Sequence, residues 1–215
     1  MTLIAKNDGG DFTPAPAGNH VARCYSVLDL GTQHSDAFTW EGSAIPESDR
    51  PQILMIWELP NETIEVEGVM QPVVTSHFYN MFFNDKARLR KDLESWRGRQ
   101  FTQEELQGFD ISNVIGKPCM LNITHNERGK AKITSVAAMP KGMEAPAQVN
   151  ESLLFTLDNY DQATFDRISD GIQNIIKKSP EWQAINAPNE GFRATGSADP
   201  TNPTDPGFDD DSIPF

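Results

Sequence analysis

Five short segments of the chain alternate apolar and polar residues or are apolar throughout, and this pattern restricts the possible folds more than any other feature. They are residues 20–30, 52–59, 73–78, 119–124 and 130–136. Because successive side chains of a strand point to opposite faces of a sheet, such segments are typical of β-strands. Residues 84–97 instead place apolar residues at helical spacing and end before Gly98. This predicts a helix between the third and fourth strands.

The alternation also predicts which side chains face the core. In the first strand, one face carries Ala22, Cys24, Leu28 and Leu30, and the other carries Arg23, Tyr25 and Val27. In the last two strands, the predicted inward residues are Cys119, Leu121, Ile123, Ala131 and Ile133, with Lys130, Lys132 and Thr134 outward. Trp57 has apolar neighbours on both sides, so we expect it in the core.

The other segments form an arm, a connection, a helix and a tail. Residues 1–19 are rich in Gly, Pro, Ala and Asp and predict a flexible arm, and residues 31–51 predict a long loop or a ragged hairpin. Residues 141–186 predict a linker followed by a helix over 159–185. Residues 187–215 are dominated by small and polar residues that cannot form a core, which predicts a disordered acidic tail.

Three strands, a helix and two strands are the element order of an OB-type barrel, a five-stranded and partly open structure. We therefore predict a mainly β fold in which residues 20–140 form a five-stranded OB-type barrel, with the helix between strands three and four. The strand pattern alone also fits another small α+β sheet.

The charge distribution bears on the kind of partner. The chain has a formal net charge of −13, which by itself argues against a nucleic-acid ligand. Two stretches run against this trend: residues 86–99 hold six basic residues, and residues 117–141 hold five. A local basic groove on an acidic molecule is compatible with both observations.

No pattern of an enzyme, a membrane protein or a metal protein is present in the sequence. The longest apolar run, residues 53–57, is too short to cross a bilayer, and residues 1–16 have no apolar stretch typical of a secretion signal. Cys24 and Cys119 lie in apolar segments, so we expect reduced, buried thiols in a cytoplasmic protein. The four histidines are not spaced for metal binding, and no phosphate-binding glycine loop occurs. We expect no catalytic site and no cofactor.

The last seven residues combine acids with an apolar end, Asp209-Asp210-Asp211-Ser212-Ile213-Pro214-Phe215. A basic hydrophobic pocket on another protein would bury the Phe215 ring, pair with its carboxylate and attract the aspartates. Pro214 limits the conformational freedom lost on docking. The predicted partner-binding residues are Asp209, Asp210, Asp211, Ile213, Pro214 and Phe215. An ordinary solubilising tail is the simpler alternative.

This tip resembles that of bacterial single-stranded DNA-binding proteins, with Ser212 as an insertion relative to the commonest form. The segments 116–126, 132–133 and 178–182 are similar to phage-encoded proteins of the same type. The resemblance implies an OB fold and a role in phage DNA replication, recombination or repair, in the cytoplasm of a host bacterium. It also implies that the tip recruits replication or recombination proteins.

Binding of unpaired bases requires exposed aromatic rings and a basic track for phosphates. The candidates outside the predicted core are Arg23, Tyr25, Phe38, Trp40, His77, Tyr79, Arg128, Lys130 and Lys132. On an OB-type barrel these positions fall near strands two and three and the adjoining loops. Tyr79 is equally well placed to seal the barrel against the helix.

Two functions remain open from the sequence. The first is a protein that coats single-stranded DNA and recruits partners through its tip, which is also able to fold back and compete with DNA. The second is an adaptor that uses such a tip without appreciable affinity for DNA. The sequence leaves the oligomeric state undetermined, and a homo-oligomer is compatible with it.

Overall fold

The computed structural model describes residues 13–40 and 43–187, and all structural statements concern those residues. The strands are β1 (Gly18–Ser35), β2 (Phe38–Trp40), β3 (Ser43–Ile45), β4 (Ser48–Val66), β5 (Val69–Asn80), β6 (Pro118–His125), β7 (Ala131–Ala137) and β8 (Leu153–Phe155). The helices are α1 (Arg88–Arg97), α2 (Gln162–Phe165), α3 (Asp170–Ile176) and α4 (Pro180–Asn186), with short 3-10 turns at Glu105–Gln107 and Ile111–Val114.

Six of the strands form one sheet in the order β5-β4-β1-β6-β7, with β8 pairing in addition with β1. Neighbours along this path are antiparallel, whereas β8 runs parallel to β1. The prediction of a mainly β fold with a helix between the third and fourth principal strands is confirmed. The sheet is open, because β5 and β7 lie at its two ends and do not pair with each other.

The region predicted as a loop or ragged hairpin is an extended hairpin. β1 continues to Ser35 and pairs with β4 from Ser48 onward, and the small β2–β3 ribbon lies between them. The helix α1 is shorter than predicted at its start. Asn84 does not cap it but closes a turn before it, accepting a hydrogen bond from the Lys86 N–H at 3.0 Å.

Two apolar clusters pack on opposite faces of the sheet. Alternate residues of β4 separate them: Ile53, Met55 and Trp57 belong to one cluster, and Leu54 and Ile56 belong to the other. We call the first face inner and the second face outer. The inner cluster packs against α1 and includes both cysteines, which are buried and unbonded as predicted. Trp57 is fully buried, so its predicted place in the core is confirmed.

A bulge in β1 makes the predicted facing of that strand wrong. Tyr25 has no partner on β4, and the register shifts there. As a result Val27 joins Cys24 in the inner cluster, while Leu28 and Leu30 lie in the outer one. An inserted residue reverses the alternation beyond it, because the side-chain period of a strand is two.

The segment predicted as one helix over 159–185 forms three short helices. Each begins after a residue with extended backbone, namely Asp161, Ser169 and Ser179, and two of these cap the helix with their side chains. The Asp161 carboxylate accepts from the Thr164 N–H at 2.8 Å, and Ser179 Oγ accepts from the Trp182 N–H at 3.2 Å. The short helices pack onto the outer face through Phe165, Ile168 and Ile176. No helix among the described residues is long and apolar enough to span a membrane.

The buried carboxylate of Glu58 connects the linker before β8 to the sheet. It accepts hydrogen bonds from the backbone N–H groups of Val149 and Asn150 at 2.8 and 2.7 Å and from the Asn150 side chain at 2.6 Å. The predicted linker is therefore tied to β4. The three hydrogen bonds offset the cost of burying the Glu58 charge. They also fix the position of Val149 and Asn150, and so of β8, which follows them.

Candidate nucleic-acid interface

The outer face of β5 carries the exposed apolar and polar residues of this strand. Phe78, Ser76 and Val74 pair with the outer-face residues Leu54, Ile56 and Glu58 of β4. Phe78 is 46% exposed, and its partner on β4, Leu54, belongs to the outer cluster. An exposed ring on a sheet is the group that unpaired bases stack on.

His77 and Tyr79, both predicted to contact DNA, lie on the inner face instead. Tyr79 is 2% exposed, and its hydroxyl donates a hydrogen bond to the Asp92 carboxylate at 2.8 Å. Burial and the Asp92 charge raise the pKa of Tyr79 far above its ordinary value. Its ring belongs to the inner cluster and is not accessible to a base.

His77 is half-buried and packs edge-on against Tyr79, with ring centroids 4.5 Å apart. Burial, together with the charges of Arg88 and Lys132 and against that of Asp92, lowers its pKa to about 4. The imidazole is therefore neutral at pH 7. It offers a nearby phosphate no positive charge.

Arg23 is held by backbone carbonyl groups. Its guanidinium donates to the Pro146 carbonyl at 2.7 and 3.1 Å and to the Gly116 carbonyl at 2.6 Å. These bonds tie the linker before β8 to the loop before β6. Arg23 thus has a clear structural role at a partly buried position.

The hairpin between β6 and β7 presents the three predicted cations, Arg128, Lys130 and Lys132, all exposed. Its turn is rigidly built, because Asn126 Oδ1 accepts from the backbone N–H groups of Arg128 and Lys130, each at 3.0 Å. A bulge at Thr134 lets Ile133 and Val136 both point inward.

Arg88 brings a further cation to the gap between β5 and β7. One guanidinium nitrogen bonds to the Asp92 carboxylate at 3.1 Å, and another donates to the Ile133 carbonyl of β7 at 2.7 Å. The Asp92 carboxylate balances the charge of Arg88, and the exposed Lys132 is a further cation on β7.

A groove of about 830 Å³ connects these features with the C-terminal helices. Its walls include Tyr25 and Ser26 of β1, Ile56 of β4, and Val74 and Ser76 of β5. Lys130 lies at one part of its rim and Arg167 at another. Arg167 makes an exposed ion pair with Glu151 at 2.8 Å, which is a weak contact that an incoming anion is able to replace.

Tyr25 lies in this groove at the β1 bulge, and it is half-buried. Burial, followed by the charge of Glu58, raises the pKa of Tyr25 above its ordinary value. The hydroxyl is therefore protonated at pH 7 and able to donate a hydrogen bond. Of the candidates on β1, Tyr25 lies beside the groove and Arg23 is engaged with backbone.

A second cavity of about 560 Å³ lies between the β1–β4 strands and the loop after β8, and it is acidic. Three of its aspartates accept backbone hydrogen bonds: Asp29 from Leu157, Asp110 from Ser112 and Asp161 from Thr164. These carboxylates stabilise turns and helix starts. Because like charges repel, we do not expect single-stranded DNA to bind in this cavity. Over residues 13–40 and 43–187, no group of acids, histidines or cysteines is arranged to hold a metal ion.

The structure is informative for some predicted residues and not for others. The side chains of Phe38 and Trp40, and the entire tip from Asp209 to Phe215, lie outside the described residues. The sequence patterns did not mark Phe78, Ser26 and Arg167 as candidate DNA-binding residues. For Phe78 the only signal was its place in a strand that mixes apolar and polar residues on both faces, which does not reveal which of them point outward.

Comparison with known proteins gives no relative: no family model, no curated protein and no solved structure matches this chain.

Proposed function

We propose that this protein binds single-stranded DNA in the groove beside β5 and recruits other proteins through its acidic tip. The observation that carries the proposal is the exposed Phe78 ring next to a groove whose rim holds Lys130 and Arg167. Stacking on a ring tolerates any base, and lysine and arginine neutralise phosphates without reading sequence. The expected activity is therefore coating of unpaired strands without sequence preference.

The strand order supports an OB-type fold as the finer description of the sheet. The order β5-β4-β1-β6-β7, with α1 between β5 and β6, is the strand order expected when an OB barrel is opened between its third and fifth strands. Helix α1 bridges this opening, since its Asp92 accepts a hydrogen bond from Tyr79 of β5 and its Arg88 donates to the Ile133 carbonyl of β7. In such folds, the face of the second and third strands and the adjacent loops receive oligonucleotides, and the groove lies on the corresponding strands.

The tip motif supports the second half of the proposal. Asp209–Phe215 resembles the partner-binding tip of bacterial single-stranded DNA-binding proteins, and the chain has segments similar to phage-encoded proteins of that type. We propose a role in phage DNA replication, recombination or repair within the host cytoplasm, with replication and recombination proteins as partners.

An adaptor without DNA affinity is the second candidate, and the formal net charge of −13 favours it. A groove with few cations predicts modest, salt-sensitive binding rather than none. If about four cations contact phosphates, the logarithm of the association constant falls with a slope of about −3 against the logarithm of salt concentration.

Fluorescence anisotropy of a labelled oligo(dT) strand, titrated with the purified full-length protein at 20 mM and at 300 mM salt, separates the two functions. The proposal expects binding at low salt that weakens as salt rises. A matched duplex competitor is expected to displace the strand poorly, because paired bases cannot stack on Phe78. No change of anisotropy at low salt would leave only the adaptor function.

A further inference from the structure

Ser26 is a buried polar residue without a hydrogen-bond partner. It is 0% exposed and lines the groove beside β5. Its hydroxyl oxygen has no hydrogen-bond partner within residues 13–40 and 43–187. Glu58 on the adjacent strand, equally buried, receives three hydrogen bonds. An unpaired buried hydroxyl costs free energy, and among the described side chains only Trp57 Nε1 and Arg97 Nη1 are likewise buried without a partner.

Ser26 lies in a part of the groove between Ile56, Leu153 and Ile172, which we call the slot. Its partner across the β1–β4 pair is Ile56, and its partner on β8 is Leu153. Ile172 of α3 and Tyr25 also line the groove at this level. The side chains next to Ser26 are therefore mostly aliphatic. The polar residues elsewhere along the groove include Tyr25, Thr75, Ser76, Lys130, Asn150, Glu151, Arg167 and Ser169.

We infer that this slot takes one unpaired nucleobase, whose faces lie against Ile56, Leu153 and Ile172. Ser26 Oγ is covered in this structure, so the polar edge of the base meets it after the side chains above it change rotamer. This inference rests on the proposed function and adds a defined subsite to it. Arg167 exchanges its exposed contact with Glu151 for the phosphate of the same nucleotide. Phe78 stacks a different base, outside the slot.

A nucleobase fits this chemistry better than an apolar side chain or an acyl chain. Either of those would fill the slot but leave the hydroxyl unpaired, whereas a base combines apolar faces with a hydrogen-bonding edge. A serine hydroxyl donates or accepts according to its rotation, so it pairs with a carbonyl or an amino group. The slot therefore accepts purines and pyrimidines alike, as coating of any sequence requires.

Two variants test the slot. Ser26→Ala removes only the hydroxyl, and it is expected to weaken binding of both oligo(dT) and oligo(dA) by about two- to ten-fold, the equivalent of one neutral hydrogen bond. Its thermal midpoint is expected to equal or exceed that of the wild type, because the unpaired hydroxyl is gone. A merely structural serine would not lower affinity while preserving stability.

Leu153→Trp fills the slot with a ring, and Leu154→Trp is its matched control. Leu154 is the next residue of β8, is 45% exposed and lines the acidic cavity instead. Filling the slot is expected to weaken binding of oligo(dT) at least ten-fold, and the control to leave it within about two-fold.

Strands with a single 2-aminopurine provide a direct readout on the wild type. In a series of strands, the 2-aminopurine is placed at successive positions. At the position that occupies the slot, its fluorescence is expected to rise on binding, since a base between aliphatic side chains is not stacked on its neighbours. This rise is expected to be lost in Leu153→Trp. Wild-type affinity in both Ser26→Ala and Leu153→Trp would overturn the slot while leaving DNA binding intact. A wild type that ignores the strand would instead overturn the proposed function.

Discussion

Replacing Phe78 by alanine tests the interface most directly. The ring is 46% exposed on the outer face of β5, so its removal leaves no cavity in either apolar cluster. Stacking of one base on an aromatic ring contributes about 1–3 kcal/mol to binding. Because each 1.4 kcal/mol corresponds to about a factor of ten, we expect the dissociation constant for oligo(dT) to rise about 5- to 150-fold.

Phe82→Ala is the matched control for this variant. Phe82 has the same side chain and is 41% exposed, but it follows β5, whereas Phe78 pairs with Leu54, which lines the groove. Anisotropy titrations of both variants at low salt, with urea unfolding in parallel, separate contact from stability. We expect only Phe78→Ala to lose affinity for oligo(dT), and both variants to keep the urea midpoint of the wild type. Equal affinities of the two variants would refute the assignment of the stacking ring.

Three further predictions concern charge, the tip and pH. Lys130→Glu with Lys132→Glu should weaken binding at 20 mM salt by at least ten-fold and flatten the salt dependence, since about two phosphate contacts are lost; an unchanged slope in the anisotropy titration would contradict this. Phe215→Ala should abolish pull-down of tip-binding replication proteins and leave oligo(dT) affinity within about two-fold, and retained pull-down would rule out the pocket interaction. The pKa of His77 is lowered to about 4 by burial, so its contribution to stability is present above pH 6.5 and is lost as pH falls toward 4. Between pH 7 and pH 5 we expect the free energy of unfolding to fall by about 2 kcal/mol more in the wild type than in His77→Gln, and parallel urea curves for the two proteins would show that this residue is not responsible.

The strand and helix segments were readable from the sequence because their patterns are local. The period of two marked the five principal strands, and the spacing of Leu89 and Leu93 marked α1. Burial of Trp57 and of both cysteines followed from their apolar neighbours on the chain. Such inferences require no knowledge of which segments pack together.

The choice of interface residues failed where it depended on long-range contacts. The facing of β5 is ambiguous from the sequence, because residues 73–79 place both apolar and polar residues on each face. Pairing with β4 directs Phe78 outward and Tyr79 inward. The bulge at Tyr25 depends on how β1 pairs with β4. A bulge moves every later side chain to the opposite face, and nothing in the local sequence marks it.

The sequence by itself determined the five principal strands, the helix α1, their order and the motif at the tip, because these depend on side-chain period and on neighbouring residues. Only the tertiary structure decided that the C-terminal helices cover one face of the sheet, that Glu58 anchors their linker, and that Ser26 is buried without a partner. The physical reason is that the burial of a residue depends on contacts between segments far apart on the chain. A groove therefore exists only once those segments have met.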